Sequence, residues 1–167
     1  MPPGGYSPLS DNNIPQDARG LAFTKWVASY FKHGDLSSRD FSQLKLRETD
    51  TSKKPTTDTI SPAELSTITD FVPGPRCETT QVHIKFSTVF TNQTAKALLD
   101  PQVRKDWGRL PVWYIYCEAS SWNIHHAVWH LEEKLKCSQS EISFKLIPGV
   151  NHFVRSHFDP TDSFRPL

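Results

Sequence analysis

The sequence lacks the features that mark several common classes of protein. It has three cysteines in 167 residues, widely spaced and without a Cys-x-x-Cys pair, which argues against a disulfide framework and a thiolate zinc site. No apolar run approaches the roughly 18 residues needed to cross a bilayer. The amino end has no signal-peptide stretch, and the net charge of +1 comes without a basic stripe. We therefore expect a soluble, cytoplasmic protein without nucleic-acid or membrane partners.

Signatures of covalent and metal catalysis are also missing. No Gly-x-Ser-x-Gly elbow occurs, nor a version of it with aspartate or cysteine. His126 and His130 stand four residues apart on a predicted helix, a spacing that can bind zinc, but the glutamate of a zinc-protease helix is absent between them. Their face lies opposite the apolar stripe of that helix, which indicates a solvated surface. We expect no metal and no cofactor.

The part of the chain from residue 1 to 110 is polar and rich in proline, serine and threonine, with helical patches. Ser61 offers an N-cap, Pro62 suits the first helical position, and Glu64 is the acidic residue at N3, which together are typical of a helix start. The patterns predict an amphipathic helix over 17–33, a flexible loop near 48–59, a helix from 62 to about 70 and a helix over 80–99.

Residues 111–167 contain the clearest pattern. A continuous apolar run over 112–117 predicts a strand buried on both faces, and an alternating run over 142–147 predicts a second strand. Between them, apolar residues at helical spacing predict a helix that begins after Ser121. Strand, helix and strand in this order form one βαβ unit with parallel strands. Ligands of such folds bind beyond the carboxyl ends of the strands, where one of the two loops carries His152.

Two segments of this part carry a family resemblance. They read Pro111-Val112-Trp113-Tyr114-Ile115-Tyr116-Cys117-Glu118-Ala119-Ser120 and Ile147-Pro148-Gly149-Val150-Asn151-His152-Phe153. This stretch resembles the last βαβ unit of the α/β-hydrolase fold, where a final strand delivers Pro-Gly-x-x-His to the active site. The resemblance implies a partial α/β fold, with residues 1–110 as a helical lid-like region and 111–167 as the βαβ part. It also implies that His152 is the catalytic base of an enzyme that hydrolyses an ester or related bond.

The sequence departs from that family at the acid and at the nucleophile. Ser120 stands where the family has its aspartate, and a hydroxyl cannot orient an imidazolium as a carboxylate does. Glu118 is the nearby candidate acid, although it also fits a loop-edge carboxylate, and Asp100 and Asp106 are further candidates by order in the chain. Without a nucleophile the chain alone has no covalent catalysis.

Three functions remain open from the sequence. The first is a truncated α/β-hydrolase that has kept its histidine loop but is inactive alone. The second is a non-catalytic interaction module with a protein partner at the exposed edge of the sheet. In the third, a separate chain supplies the missing strands, and the completed enzyme acts on a small-molecule substrate.

Overall fold

The computed structural model describes residues 4–68, 86–107, 110–138 and 141–153. Its helices and strands are, in chain order, α1 (Arg19–Val27), α2 (Pro62–Ile68), α3 (Ser87–Leu99), α4 (Pro101–Asp106), β1 (Trp113–Cys117), α5 (Trp122–Leu135) and β2 (Ser143–Ile147). Short 3-10 turns lie at Pro8–Ser10, Leu36–Ser38, Phe41–Gln43 and Thr56–Asp58. Helices thus combine with a two-stranded sheet, which makes the chain a mixed α/β protein.

Contacts between residues divide the chain into two compact units, each made of several segments. Unit 1 comprises Met1–Ile60, Ile115–Trp129 and Phe144–Leu167, and unit 2 comprises Ser61–Tyr114 and His130–Ser143. The predicted boundary at residue 110 is a division along the sequence, and it remains a prediction.

The two strands pair directly and run parallel. Ser143 donates its backbone N–H to the carbonyl of Val112, and Glu118 donates its own to the carbonyl of Ile147, both at 2.9 Å. Because the residue numbers rise together along both strands, the pair is parallel, as the βαβ pattern predicts.

The prediction that β1 is buried on both faces is wrong within the described residues. Trp113 and Ile115 are 54% and 50% exposed, and they alternate with the half-buried Tyr114 and Tyr116. On the covered face, the Tyr116 ring contacts the His125 ring of α5 at a centroid distance of 5.9 Å. One helix covers one face of a strand, and no described element covers the other.

Helix α1 ends at Val27, so the predicted helix over 17–33 is too long. Tyr30 and Phe31 are buried, but their backbone groups bond to distant parts of the chain instead of to the helix. Tyr30 accepts from the Asp50 N–H at 2.7 Å, and the Phe31 N–H donates to Ala119 at 3.0 Å. Tertiary partners therefore override the helical periodicity that these aromatic residues suggest.

The predicted loop near 48–59 is hydrogen-bonded to the segment after α1, residues 28–31. Besides the bond from Asp50, the Thr56 N–H donates to the Ala28 carbonyl at 2.8 Å, and the Thr56 side chain is buried. Polar side chains and backbone groups of the loop thus find hydrogen-bond partners beside the core of unit 1.

Capping side chains mark the starts of helices α2 and α4 in unit 2. The Ser61 hydroxyl accepts from the Glu64 N–H at 3.2 Å, which confirms the predicted N-cap of α2. Helix α4 was not predicted from the sequence; it begins where the Asp100 carboxylate accepts from the N–H groups of Gln102 and Val103. The predicted beginning of α3 near residue 80 lies outside the described residues, and no described helix is long and apolar enough to span a membrane.

An aromatic core holds unit 1 together. Its buried members are Trp26, Phe31, Leu44 and Trp122. Each indole nitrogen has a partner, because Trp26 Nε1 donates to the Leu46 carbonyl at 3.1 Å and Trp122 Nε1 donates to Tyr6 at 2.7 Å. Large rings thus bury apolar area without leaving a polar atom unpaired.

Leu44→Ala is expected to lower the free energy of unfolding by about 2–5 kcal/mol, because it removes buried methyl groups and leaves a cavity in this core. Leu21→Ala is the matched control, since Leu21 is 77% exposed on α1 and its loss should cost less than about 0.5 kcal/mol. Urea unfolding followed by tryptophan fluorescence compares the two. Equal losses would contradict the placement of this core.

Candidate functional site

The loops after the two strands are joined side by side in unit 1. We call them the post-β1 loop (residues 118–121) and the post-β2 loop (residues 148–153). The Ala119 N–H donates to the Val150 carbonyl at 2.9 Å. The Gly149 N–H donates to the Glu118 carboxylate at 2.7 Å. The carboxyl ends of the parallel strands therefore meet in one hydrogen-bonded structure, as the βαβ pattern predicts.

The turn before His152 depends on Gly149. Its φ of +70° lies in the left-handed region, which a residue with a Cβ adopts only at a cost. The Lys53 ammonium donates to the Gly149 carbonyl at 3.3 Å and lies over the Tyr30 ring. After this turn the His152 ring is exposed, where an added reactant could reach it.

Glu118 holds the turn and forms no hydrogen bond to the imidazole of His152. Its carboxylate accepts from the Gly149 N–H, and no hydrogen bond joins it to the His152 ring. The structure brings the two predicted site residues to adjacent loops, but the bond that an orienting acid needs is not formed there.

Ser120 lies inside unit 1. It is 1% exposed, and its hydroxyl has no hydrogen-bond partner among the residues that the structure describes. A buried hydroxyl cannot attack a substrate from solution, so the serine at the family's acid position supplies neither acid nor nucleophile. The other two candidate acids have local roles in unit 2: Asp100 caps α4, and Asp106 accepts from the Gln102 side chain at 3.3 Å.

Asn151, which the sequence analysis passed over, anchors the post-β2 loop. It is fully buried, and its amide nitrogen donates to the Ala28 carbonyl and the Thr56 hydroxyl, both at 2.7 Å. Its amide oxygen accepts from the Phe153 N–H at 3.0 Å, which closes an Asx-type turn around His152. An asparagine beside a loop histidine was the only signal in the sequence.

Two histidines that the sequence analysis also missed hold the post-β1 loop. His33 Nε2 lies 2.8 Å from the Ser120 carbonyl, and His125 Nε2 lies 3.0 Å from the Glu118 carbonyl. The two rings meet edge to face at 4.7 Å. Burial lowers the pKa of both imidazoles, that of His125 to about 4. Both rings are therefore neutral at physiological pH.

The histidines of the predicted zinc spacing have different surroundings. The His126 ring contacts the rings of Phe41 and Trp122 at 5.7 and 6.1 Å, so it is half-buried and not on the solvated surface that we expected. His130 is exposed in unit 2, beside an open groove of about 780 Å³. Within the described residues no three His, Cys, Asp or Glu side chains form a group that could hold a metal ion.

Cys117, at the end of β1, is 3% exposed, and burial raises the pKa of its thiol. A buried neutral thiol is a small apolar side chain here, and it is not a nucleophile.

Comparison with known proteins adds no relative, since no protein-family model, curated protein or solved structure matches this chain. The interpretation of the site therefore depends on its residues and their geometry.

Gly149→Ala is expected to lower the free energy of unfolding by about 1–2 kcal/mol, because alanine is strained at positive φ. An added Cβ would meet no atom within 4 Å at Gly149 or at Gly20 of α1, so crowding does not enter at either position. Gly20→Ala should instead stabilise the protein by about 0.5–1 kcal/mol. Urea unfolding measures both changes, and a neutral Gly149→Ala would exclude the left-handed turn.

Proposed function

We propose that this chain is the histidine-bearing C-terminal part of an α/β-hydrolase scaffold, with His152 at the position of the general base. The observation that carries the proposal is the joined pair of loops at the carboxyl ends of two parallel strands. In that arrangement a Pro-Gly turn with a left-handed glycine is followed by an exposed histidine. A base in this position can take a proton from a nucleophile that lies across the edge of the sheet.

We propose further that the chain alone does not turn over substrate. The sequence contains no nucleophile elbow, and Ser120 is buried. The Glu118 carboxylate is bonded to the turn and not to the His152 ring. A base without nucleophile and orienting acid contributes little more than free imidazole does. The parent reaction is hydrolysis of an ester or related bond, and it needs a nucleophile that these 167 residues do not supply.

The competing function is a non-catalytic interaction module. The exposed apolar side chains of Trp113 and Ile115 support it, because a strand that presents half-exposed apolar residues to water is suited to contact a protein partner. The segment Trp113–Cys117 carries no charged residue that would discourage such a contact.

The inactive-alone proposal is tested with 4-nitrophenyl acetate and a fluorophosphonate probe on the full chain. We expect no covalent labelling, and we expect a rate within about tenfold of that of the same concentration of free imidazole, since general-base catalysis alone is modest. His152→Ala should lower this small rate no more than His130→Ala, which removes another exposed histidine, because an unactivated His152 contributes only what any exposed imidazole does.

Strong labelling that disappears in His152→Ala would mean a complete active site and would overturn the inactive-alone proposal. Equal rates for the wild type, His152→Ala and His130→Ala would count against His152 as an accessible base. If the chain unfolds cooperatively but shows no rate that depends on His152, the interaction module is favoured.

A further inference from the structure

The post-β1 loop is held by two histidines whose protonation states are set by their partners. A carbonyl oxygen only accepts, so the Nε2 of His33 and the Nε2 of His125 each carry the hydrogen in their bonds to Ser120 and Glu118. The Nδ1 of His33 accepts from the Lys45 N–H at 2.9 Å, so it holds a lone pair. His33 is therefore neutral, and a neutral His125 ring has its hydrogen on the same nitrogen.

A second proton on either ring would be energetically unfavourable. On His33, a proton at Nδ1 would oppose the N–H of Lys45. On His125, which is fully buried, Nδ1 has no hydrogen-bond partner in the described part of the chain. A proton there would place an unpaired donor and a positive charge inside unit 1, with the second imidazole 4.7 Å away.

The charged and titratable groups around the pair do not compensate this cost. Burial lowers the pKa of His33, and the Lys45 ammonium lowers it further. The hydrogen bond to Ser120 and the Glu118 carboxylate favour protonation but do not offset burial. Facing His125 are the rings of His33, Tyr116 and Trp129. His126, the next residue of α5, is not a carboxylic acid.

We propose that the neutral His33–His125 pair holds the post-β1 loop in place in an acid-sensitive way. Protonation of the pair then frees this loop and the turn before His152. The connection to the turn is direct, because Glu118 and Ala119 of the loop bond to Gly149 and Val150. This acid-sensitive role of the histidine pair would be the same in a hydrolase fragment and in an interaction module, so it does not depend on the proposed function.

The direction of the pH effect follows from the lowered pKa values. Between about pH 6.5 and 4, His125 binds a proton in the unfolded chain but not in the folded chain. The contribution of the pair to stability is thus complete above pH 6.5, and it is lost as the pH falls toward 4.

The test is urea unfolding of the full chain at pH 7 and pH 5. For a pKa of about 4 in the folded state and 6.5 in the unfolded state, the unfolding equilibrium constant should rise roughly 20-fold over this interval. His125→Gln should lose most of that rise, and His130→Gln, which removes an exposed histidine, should keep it. Carboxyl groups of lowered pKa act alike in all three proteins, so the comparison cancels them.

Two further measurements keep the proposal open to refutation if His125→Gln does not fold. In the wild type, the NMR signal of the His125 ring should not titrate between pH 8 and pH 5, and the amides of Ala119 and Gly149 should lose hydrogen-exchange protection at pH 5 before that of Leu44. Uptake of a proton by folded His125 near pH 6.5, an unchanged 20-fold rise in His125→Gln, or simultaneous loss of all three amides would overturn the proposal.

Discussion

The hydrogen bond from the Gly149 N–H to the Glu118 carboxylate, with the backbone bond from Ala119 to Val150 beside it, is the constraint on which the candidate site depends. Two parallel strands alone are a marginal structure, because an isolated pair buries little apolar area. Here the pair continues past its ends into two loops that bond to each other. These bonds connect the exposed histidine of one loop to the buried interior of the other.

Buried polar groups extend this constraint into the aromatic core. Asn151 bonds to Ala28 and Thr56, and the Phe31 N–H bonds to Ala119, so the segment after α1 lies against both loops. Phe31 is itself a member of the core. Because each of these groups would cost free energy if it were left unpaired, the loops and the segment after α1 stabilise one another.

The sequence predicts those elements that are determined by residues nearby in the chain. The N-cap at Ser61, the βαβ order and the position of His152 after a Pro-Gly turn all follow from periodicity, capping and turn chemistry. The end of α1, the buried histidine pair and the anchoring role of Asn151 depend on partners outside any local window. In the bonds His33–Ser120 and Asn151–Ala28 the two residues are 87 and 123 positions apart along the chain. A window of neighbouring residues contains no trace of such partners. The burial of β1 was overestimated because an apolar run shows only that a strand can be buried on both faces. It does not show that a second layer covers the other face.

Native-state hydrogen exchange at neutral pH in low concentrations of urea shows whether the two loops and the segment after α1 form one cooperative structure. The amides of Phe31, Ala119 and Gly149 donate to three different parts of this structure. If the account is correct, the three amides share one opening free energy and the same dependence on urea. A Gly149 amide that exchanges as fast as an unprotected loop while Phe31 stays protected would contradict it, because His152 would then lie on a loop that unit 1 does not hold.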